Sequence, residues 1–237
     1  MTTTGLAQEV KTRPIIFGAE SVRAILEGRK TQTRRVMKPQ PWYEPGSFPP
    51  GVELLWWRWS AYAASASHDP PGVPSEQWFE HCPYGKPGER LWVREAWDFA
   101  MGGAYSFDGY RSATYGLSYA AGGGRFLEYE GKSDDDPYFE LADSRGGNRS
   151  PIFMPRWASR ITLELTEVRV ERLQEITEAD AIAEGCTATS LHPHVSADEH
   201  ESAREQYARV WDELNAKRGF GWNLNPWVWV LSFKRAL

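Results

Sequence analysis

Residues 23–35 read RAILEGRKTQTRR and decide how this part of the chain folds. Val22, which precedes this stretch, and Ile25 and Leu26 within it recur at the i, i+3, i+4 spacing of one helix face, which predicts a helix over 19–27. Gly28 follows where a left-handed C-terminal cap belongs. Residues 29–36 alternate long cations with threonine and predict an extended strand or loop.

Alternation of apolar and polar residues predicts further strands along the chain. Alternation predicts strands over 90–97 and 161–173, whereas 13–17 is predicted as a short strand and 227–233 as a strand because of its β-forming residues. Two more helices are predicted, over 174–185 and 198–217, and the first begins with a capping box formed by Thr177 and Asp180. Strands dominate and their order is not a regular βαβ alternation. The predicted fold class is therefore α+β, a small mixed β-barrel with flanking helices and two long loop insertions.

The two insertions differ in composition from the rest of the chain. Residues 38–85 are rich in proline, glycine and tryptophan, and residues 100–150 are rich in glycine and polar side chains. Linkers lack so many aromatic residues, so the first segment is interpreted as an ordered insertion. We expect a single domain over 13–237 that contains both insertions, with residues 1–12 as a flexible tail.

The composition excludes several classes of protein. The chain has 237 residues, of which 41% are hydrophobic and 25% are charged, which argues against wholesale disorder. No apolar stretch approaches the roughly 20 residues that cross a bilayer, and no signal-peptide pattern opens the chain. Cys82 and Cys186 form no CxxC pair and no disulfide framework. We therefore expect a cytoplasmic protein without a membrane partner.

Metal ions and cofactors are not expected from the sequence. The candidate metal ligands are His81, Cys82, His192 and His194, and their spacing is not that of a zinc site. The motifs of nucleotide-binding loops, of dinucleotide-binding folds and of serine or zinc hydrolases are absent from the sequence. Chemistry that depends on those motifs is set aside.

Positive charge is concentrated around the opening stretch. Residues 11–38 contain eight lysines and arginines against two glutamates, whereas the whole chain has a net charge of −5. Positive charge concentrated in this way usually faces a phosphate or a carboxylate. The alternative is a solvated edge strand whose lysines and arginines prevent aggregation. In an extended strand Lys30, Gln32 and Arg34 share one face. Thr33 lies on the other face, so a turn or bulge is needed to bring it to Lys30.

The chain resembles the ASCH domains of the PUA-like superfamily, in particular the larger versions found in phages and prophages. The motifs that carry the resemblance lie at 23–35, 86–95, 173–185 and 226–230, and they cover about half of the chain. The resemblance implies a PUA-like β-barrel whose cleft receives RNA, a nucleotide or a modified base. It also implies the host cytoplasm as the location if the protein is phage-encoded.

The resemblance further implies candidate catalytic residues. Bacterial N4-acetylcytidine amidohydrolases of this superfamily use a lysine, a threonine and a glutamate, which fall by motif on Lys30, Thr33 and Glu184. The residues predicted to contact substrate or nucleic acid are Arg29, Arg34, Arg35, Arg156, Trp157 and Arg160. The predicted function is hydrolysis of an acyl amide on a cytidine-type base. A non-catalytic module that binds RNA or modified nucleic acid, or a metal-independent ribonuclease, are the alternatives.

The predicted chemistry needs a nucleophile and a base. Hydrolysis of the amide requires the Thr33 hydroxyl or water as nucleophile and a group that accepts its proton. Lys30 can accept a proton only when its amine is neutral. Burial and the neighbouring arginines favour the neutral amine, whereas an ionised Glu184 favours the charged form. A Lys30–Glu184 ion pair that holds substrate oxygens without turnover is therefore equally compatible with the sequence.

Overall fold

The computed structural model has a mixed α+β fold and divides into two compact units. The residues that it describes are 10–38, 40, 82–143, 147–187 and 201–236. The first unit contains the described residues of 10–11, 29–89 and 164–234, and the second contains those of 12–28, 90–163 and 235–236.

The described residues form eight strands and four α-helices. In chain order they are β1 (Thr12–Ile16), α1 (Ala19–Leu26), β2 (Gln32–Val36), β3 (Arg90–Arg94), β4 (Trp97–Phe107), β5 (Tyr110–Tyr119), β6 (Gly124–Lys132), α2 (Phe139–Asp143), β7 (Thr162–Arg172), α3 (Glu178–Ala183), α4 (Ala203–Asn215) and β8 (Trp227–Arg235). None of these helices combines the length and the apolar character needed to cross a membrane.

The first unit is built on the strands β7, β8 and β2, which lie side by side in that order. β2 runs antiparallel to β8, with Gln32 opposite Ser232 and Val36 opposite Val228. Val228 and Val230 pack against the helices α3 and α4 in one buried cluster, which also includes Tyr207. This packing fixes α3, and hence the residue at its C-terminus, above the strand β2.

The second unit contains two groups of paired strands. β1 pairs with β3 in parallel, with Thr12 opposite Arg90, and β4, β5 and β6 form an antiparallel sheet in that order. One face of this sheet is buried. Its core is lined by Trp97, Phe99 and Tyr115, together with other members of the same cluster.

Local sequence signals predicted most of the helices and strands at the motifs 23–35, 86–95 and 173–185. The predicted helix over 19–27 is α1, and Gly28 has a φ of +77°, as the left-handed cap requires. The reciprocal capping box of Thr177 and Asp180 is present at the start of α3. The predicted strand over 90–97 is divided, because β3 ends at residue 94 and β4 begins at residue 97.

The interpretation of residues 100–150 as a loop insertion is wrong for most of the segment, which forms β4, β5 and β6. Asp108 and Gly109 connect β4 to β5 and both have positive φ, 51° and 77°. An Asp-Gly pair between two alternating runs is a strong hairpin signal, since this two-residue turn matches the twist of the flanking strands. Of the other predicted segments, 39, 41–81 and 1–9 lie outside the described residues.

Candidate functional site

A buried ion pair joins Lys30 to Glu184 in the first unit. Lys30 Nζ lies 2.6 Å from Glu184 Oε2 and 2.7 Å from the backbone oxygen of the same residue. Each of the two side chains is only 4% exposed. Two of the three predicted catalytic residues therefore meet, although 154 positions separate them in the sequence.

Backbone hydrogen bonds hold the segment around Lys30 in place. The amide of Thr31 donates to the carbonyl of Ala183 at 2.8 Å, and the amide of Phe233 donates to the carbonyl of Thr31 at 2.8 Å. The exposed Arg29 donates to the carbonyl of Gly185 at 3.2 Å. The segment before β2 is thus anchored both to the end of α3 and to β8, which fixes the position of the ammonium group.

Arg34 extends the ion pair into a network of carboxylates. Its side chain is fully buried and donates to Gln32 Oε1 at 2.6 Å and to Glu171 Oε2 at 3.0 Å. It also lies 3.2 Å from Asp180 Oδ2 and 3.6 Å from Glu184 Oε1. Lys30, Gln32 and Arg34 therefore contribute to one network, as strand alternation predicts.

Arg169 on β7 contacts two of the carboxylates that Arg34 contacts, Glu171 and Asp180. It contacts Glu171 and lies 3.3 Å from Asp180 Oδ1. Burial opposes ionisation of Asp180, but hydrogen bonds from Thr177 and the charge of Arg34 hold the pKa of this carboxyl below its usual value. Asp180 is therefore a bridge that joins the start of α3 to β2 and β7.

One oxygen of Glu184, Oε1, is buried and accepts no hydrogen bond from the residues that the structure describes. Among the described residues no donor reaches Glu184 Oε1, and the Nε of Arg34 has no acceptor. The 3.6 Å separation between Arg34 Nη1 and this oxygen exceeds hydrogen-bond length. A buried carboxylate oxygen without a donor costs about 1–3 kcal/mol. A water molecule or an N–H group of a ligand would satisfy it.

The third predicted catalytic residue, Thr33, does not join this network. It is 4% exposed and lies opposite Leu231 of β8, on the face of β2 that points away from Gln32 and Arg34. The register of β2 against β8 is continuous, so no bulge turns Thr33 towards Lys30. No hydrogen bond to the Thr33 side chain is formed within the described part of the chain.

Arg35 lies close to two phenols that the motifs did not identify, the half-buried Tyr84 and the buried Tyr207. Burial lowers the pKa of Arg35, although the charges of Tyr84, Glu184 and Tyr207 oppose this effect. Burial also raises the pKa of Tyr207 well above its usual value, with a further contribution from Glu184. Tyr207 could be recognised in the sequence only as an apolar position of α4, because nothing local indicates which charges it faces.

Arg156, Trp157 and Arg160 belong to the second unit. Arg160 donates twice to the buried Glu95, at 2.8 and 2.9 Å, and stacks 4.0 Å from the ring centre of Tyr119. It is therefore committed to an internal ion pair. Trp157 is 38% exposed and packs edge-on against the aromatic core. Of the three predicted binding residues, only Arg156 keeps an exposed charge without a carboxylate partner among the described residues.

Arg156 is part of an arginine–tryptophan cluster, which we define as Arg90, Trp92, Arg94 and Arg156. The guanidinium groups of Arg94 and Arg156 lie 4.6 and 5.6 Å from the ring centre of Trp92. Arg90, Trp92 and Arg94 share one face of β3. None of the three arginines forms an ion pair with a described residue. Stacking on the indole therefore orients positive charge that no carboxylate of the described residues neutralises.

Potential metal ligands do not cluster in the described residues. No group of three or more His, Cys, Asp or Glu side chains there could hold an ion. Cys82 is buried, while His81, His192 and His194 lie outside the described residues.

Comparisons of the chain with protein-family models, with curated proteins and with solved structures returned no match. The resemblance to ASCH domains therefore stays a prediction from the motifs quoted above.

Proposed function

We propose that the protein is an amidohydrolase that opens an acyl amide on a cytidine-type base, on the PUA-like barrel that the resemblance to ASCH domains implies. The observation that carries this proposal is the buried contact between Lys30 and Glu184. A cation and a carboxylate at 2.6 Å, both shielded from water, form a pair that can stabilise charge and move a proton.

In the proposed reaction a water molecule attacks the carbonyl carbon of the acyl group. Glu184 Oε1 accepts the proton of this water, since it is the carboxylate oxygen that has no donor among the described residues. The ammonium of Lys30 stabilises the negative oxygen of the tetrahedral intermediate. The C–N bond then breaks, Glu184 returns the proton to the exocyclic nitrogen, and the products are the free base amine and a carboxylic acid.

Water is the nucleophile in this proposal because Thr33 faces away from the pair. The low exposure of both side chains also sets a requirement on binding. A base can reach Lys30 and Glu184 only if the residues around them move, so the bound and free states must differ in the exposure of this site. Exclusion of water in the bound state would strengthen both electrostatic interactions.

The proposal is tested by incubating the protein with N4-acetylcytidine and measuring release of cytidine. We expect turnover by the unaltered chain and its loss in Lys30→Ala and in Glu184→Gln. Lys217→Ala, which removes an exposed lysine of the same unit, is the matched control and should keep full activity. Absence of turnover with several N4-acyl cytidines, or turnover that survives Lys30→Ala, would refute the proposal.

Binding of single-stranded RNA is the second candidate function, and the arginine–tryptophan cluster favours it. Guanidinium groups bind phosphates in bidentate fashion, and stacking on Trp92 reduces the freedom lost on binding. Arg94→Ala should weaken RNA binding and reduce the slope of log affinity against log salt by about 0.7 for each phosphate that the variant no longer neutralises. Arg23→Ala, whose parent side chain is paired with Glu20, is the control and should leave both unchanged.

A further inference from the structure

The sheet of β4, β5 and β6 carries an exposed aromatic face. The register of the three strands places alternate residues on each face, and one face forms the core of the second unit. On the opposite face four aromatic side chains are 63–77% exposed. They are Tyr105, Phe107, Tyr110 and Phe126. Tyr105, Phe107 and Tyr110 lie together at the hairpin end of this face, and Phe126 lies opposite Gly116, beyond Ser112 and Thr114. Isolated exposed aromatics are common, but four on one face of one sheet mark an interaction surface.

Small residues form the floor between these aromatic side chains. Gly103 lies opposite Thr114, and Ala100 lies opposite Gly116, which in turn lies opposite Phe126. A Cβ atom at Gly116 would lie 3.8 Å from the ring of Phe126, so this ring already borders the floor. The face thus has three protruding rings at the hairpin end, a low surface beside them and the ring of Phe126 on the far side of this surface.

The charged residues of this face lie at its margins. Glu128, Glu130 and Lys132 follow one another along β6, at the edge of the sheet, and Asp98 lies at the end opposite the hairpin turn. An apolar centre with a polar rim is the usual anatomy of an interface between proteins, and aromatic residues are enriched at its centre.

We propose that a second copy of this chain covers the aromatic face and that the two copies form a symmetric dimer. A two-fold interface brings the same patch of both copies together, so the patch must be complementary to itself. This face meets that condition, because it offers both protruding rings and a floor of small residues on which the rings of the other copy can pack.

The available area agrees with a dimer. Aromatic side chains bury about 150–250 Å² each, so four of them at the observed exposures offer roughly 500 Å² per copy. Two copies would bury about 1,000 Å² before the floor is counted, which reaches the lower limit of a specific interface. We therefore expect a dimer that dissociates on dilution.

The test is the mass of the protein in solution, measured by sedimentation or light scattering over a dilution series. We expect a mass near twice the 27.0 kDa of the chain at high concentration and a decrease towards 27.0 kDa on dilution. The double variant Tyr105→Ser with Phe107→Ser should raise the dissociation constant by about tenfold or more. Phe126→Ser should act in the same direction.

Phe153→Ser is the matched control, because Phe153 is 76% exposed in the same unit but lies outside this sheet. It should leave the dissociation constant unchanged. Circular dichroism that matches the unaltered protein will show that each variant is folded, as expected for exposed positions. A mass of 27.0 kDa at every concentration, or equal dissociation by Phe153→Ser, would overturn the proposal.

Discussion

Replacing Lys30 by methionine tests the energetic role of the buried ion pair. Methionine fills most of the same volume but removes the charge and both hydrogen bonds to Glu184, at 2.6 and 2.7 Å. The carboxylate then stays in a site where its side chain is 4% exposed, without its closest cation. The variant therefore isolates the penalty of a buried charge from the loss of packing.

The expected magnitude follows from the neighbours that remain. Removal of one member of a buried ion pair typically costs about 3–5 kcal/mol. Arg34 Nη1 stays 3.6 Å from the other carboxylate oxygen and compensates part of the charge, so we expect the lower end, about 3 kcal/mol. For a chain of this size each kcal/mol shifts Tm by about 2–4 °C, which predicts a decrease of about 6–12 °C.

The measurement is thermal unfolding of five proteins, which are the unaltered chain, Lys30→Met, Glu184→Leu, the double variant of these two and one control. The double variant Lys30→Met with Glu184→Leu removes both charges and should regain most of the lost stability, since apolar replacement of a whole buried pair is often neutral. Lys217→Met, at an exposed lysine, is the control and should not change Tm. A decrease below about 1 kcal/mol for Lys30→Met, or a double variant that loses the sum of both single effects, would refute the reasoning.

Three further predictions concern the network and the second unit. The pKa of Asp180 is lowered in the folded protein, so this carboxylate contributes to stability above its usual pKa, and the contribution is lost as the pH falls through the lowered value. The difference in free energy of unfolding between the unaltered protein and Asp180→Asn should therefore shrink on acidification. Thr177→Ala removes the cap that accepts a hydrogen bond from the amide of Asp180 at 3.1 Å, and urea unfolding should show a loss of about 1 kcal/mol. Burial and the carboxylate of Asp136 raise the pKa of Tyr115 to about 12. The tyrosine therefore ionises at a lower pH in the unfolded chain than in the folded one, and stability should fall as the pH rises above 10. In alkaline unfolding curves followed by tyrosinate absorbance, Tyr115→Phe should lack this loss of stability.

The elements that the sequence predicted are those whose signals are local. The apolar spacing before Gly28, the cap at Thr177 and the alternation along β7 each involve residues within one turn or one strand. These features are decided by backbone conformations that nearby residues control. The boundaries of α1 and of β7 therefore agree with the prediction within one or two residues.

The candidate site was predictable only in part. Motif resemblance brought Lys30 and Glu184 together as candidates, and the structure places them in contact. The partners of Arg34 could not be predicted, because Glu171 and Asp180 approach it through the packing of β7 and α3, and no local pattern encodes such a distance. The motif spacing places Thr33 with Lys30, whereas strand geometry turns its side chain to the opposite face.

The sequence of segment 100–150 contains two conflicting signals. Glycine weakens a strand and is common in loops, which favours a loop insertion. The Asp108–Gly109 pair, between two segments rich in tyrosine and phenylalanine, is the signal that decides for a hairpin.

The order of strands in the first unit has a consequence for biosynthesis. β8 is the strand that lies between β7 and β2, yet the ribosome produces its Ser232 200 residues after the Gln32 with which it pairs. At about 5–20 residues per second, β2 waits roughly 10–40 s for this neighbour. During that interval the edge of β2 that β8 will occupy is open to chaperones or to nascent chains on adjacent ribosomes, and the corresponding edge of β7 is open only after residue 172 has been made.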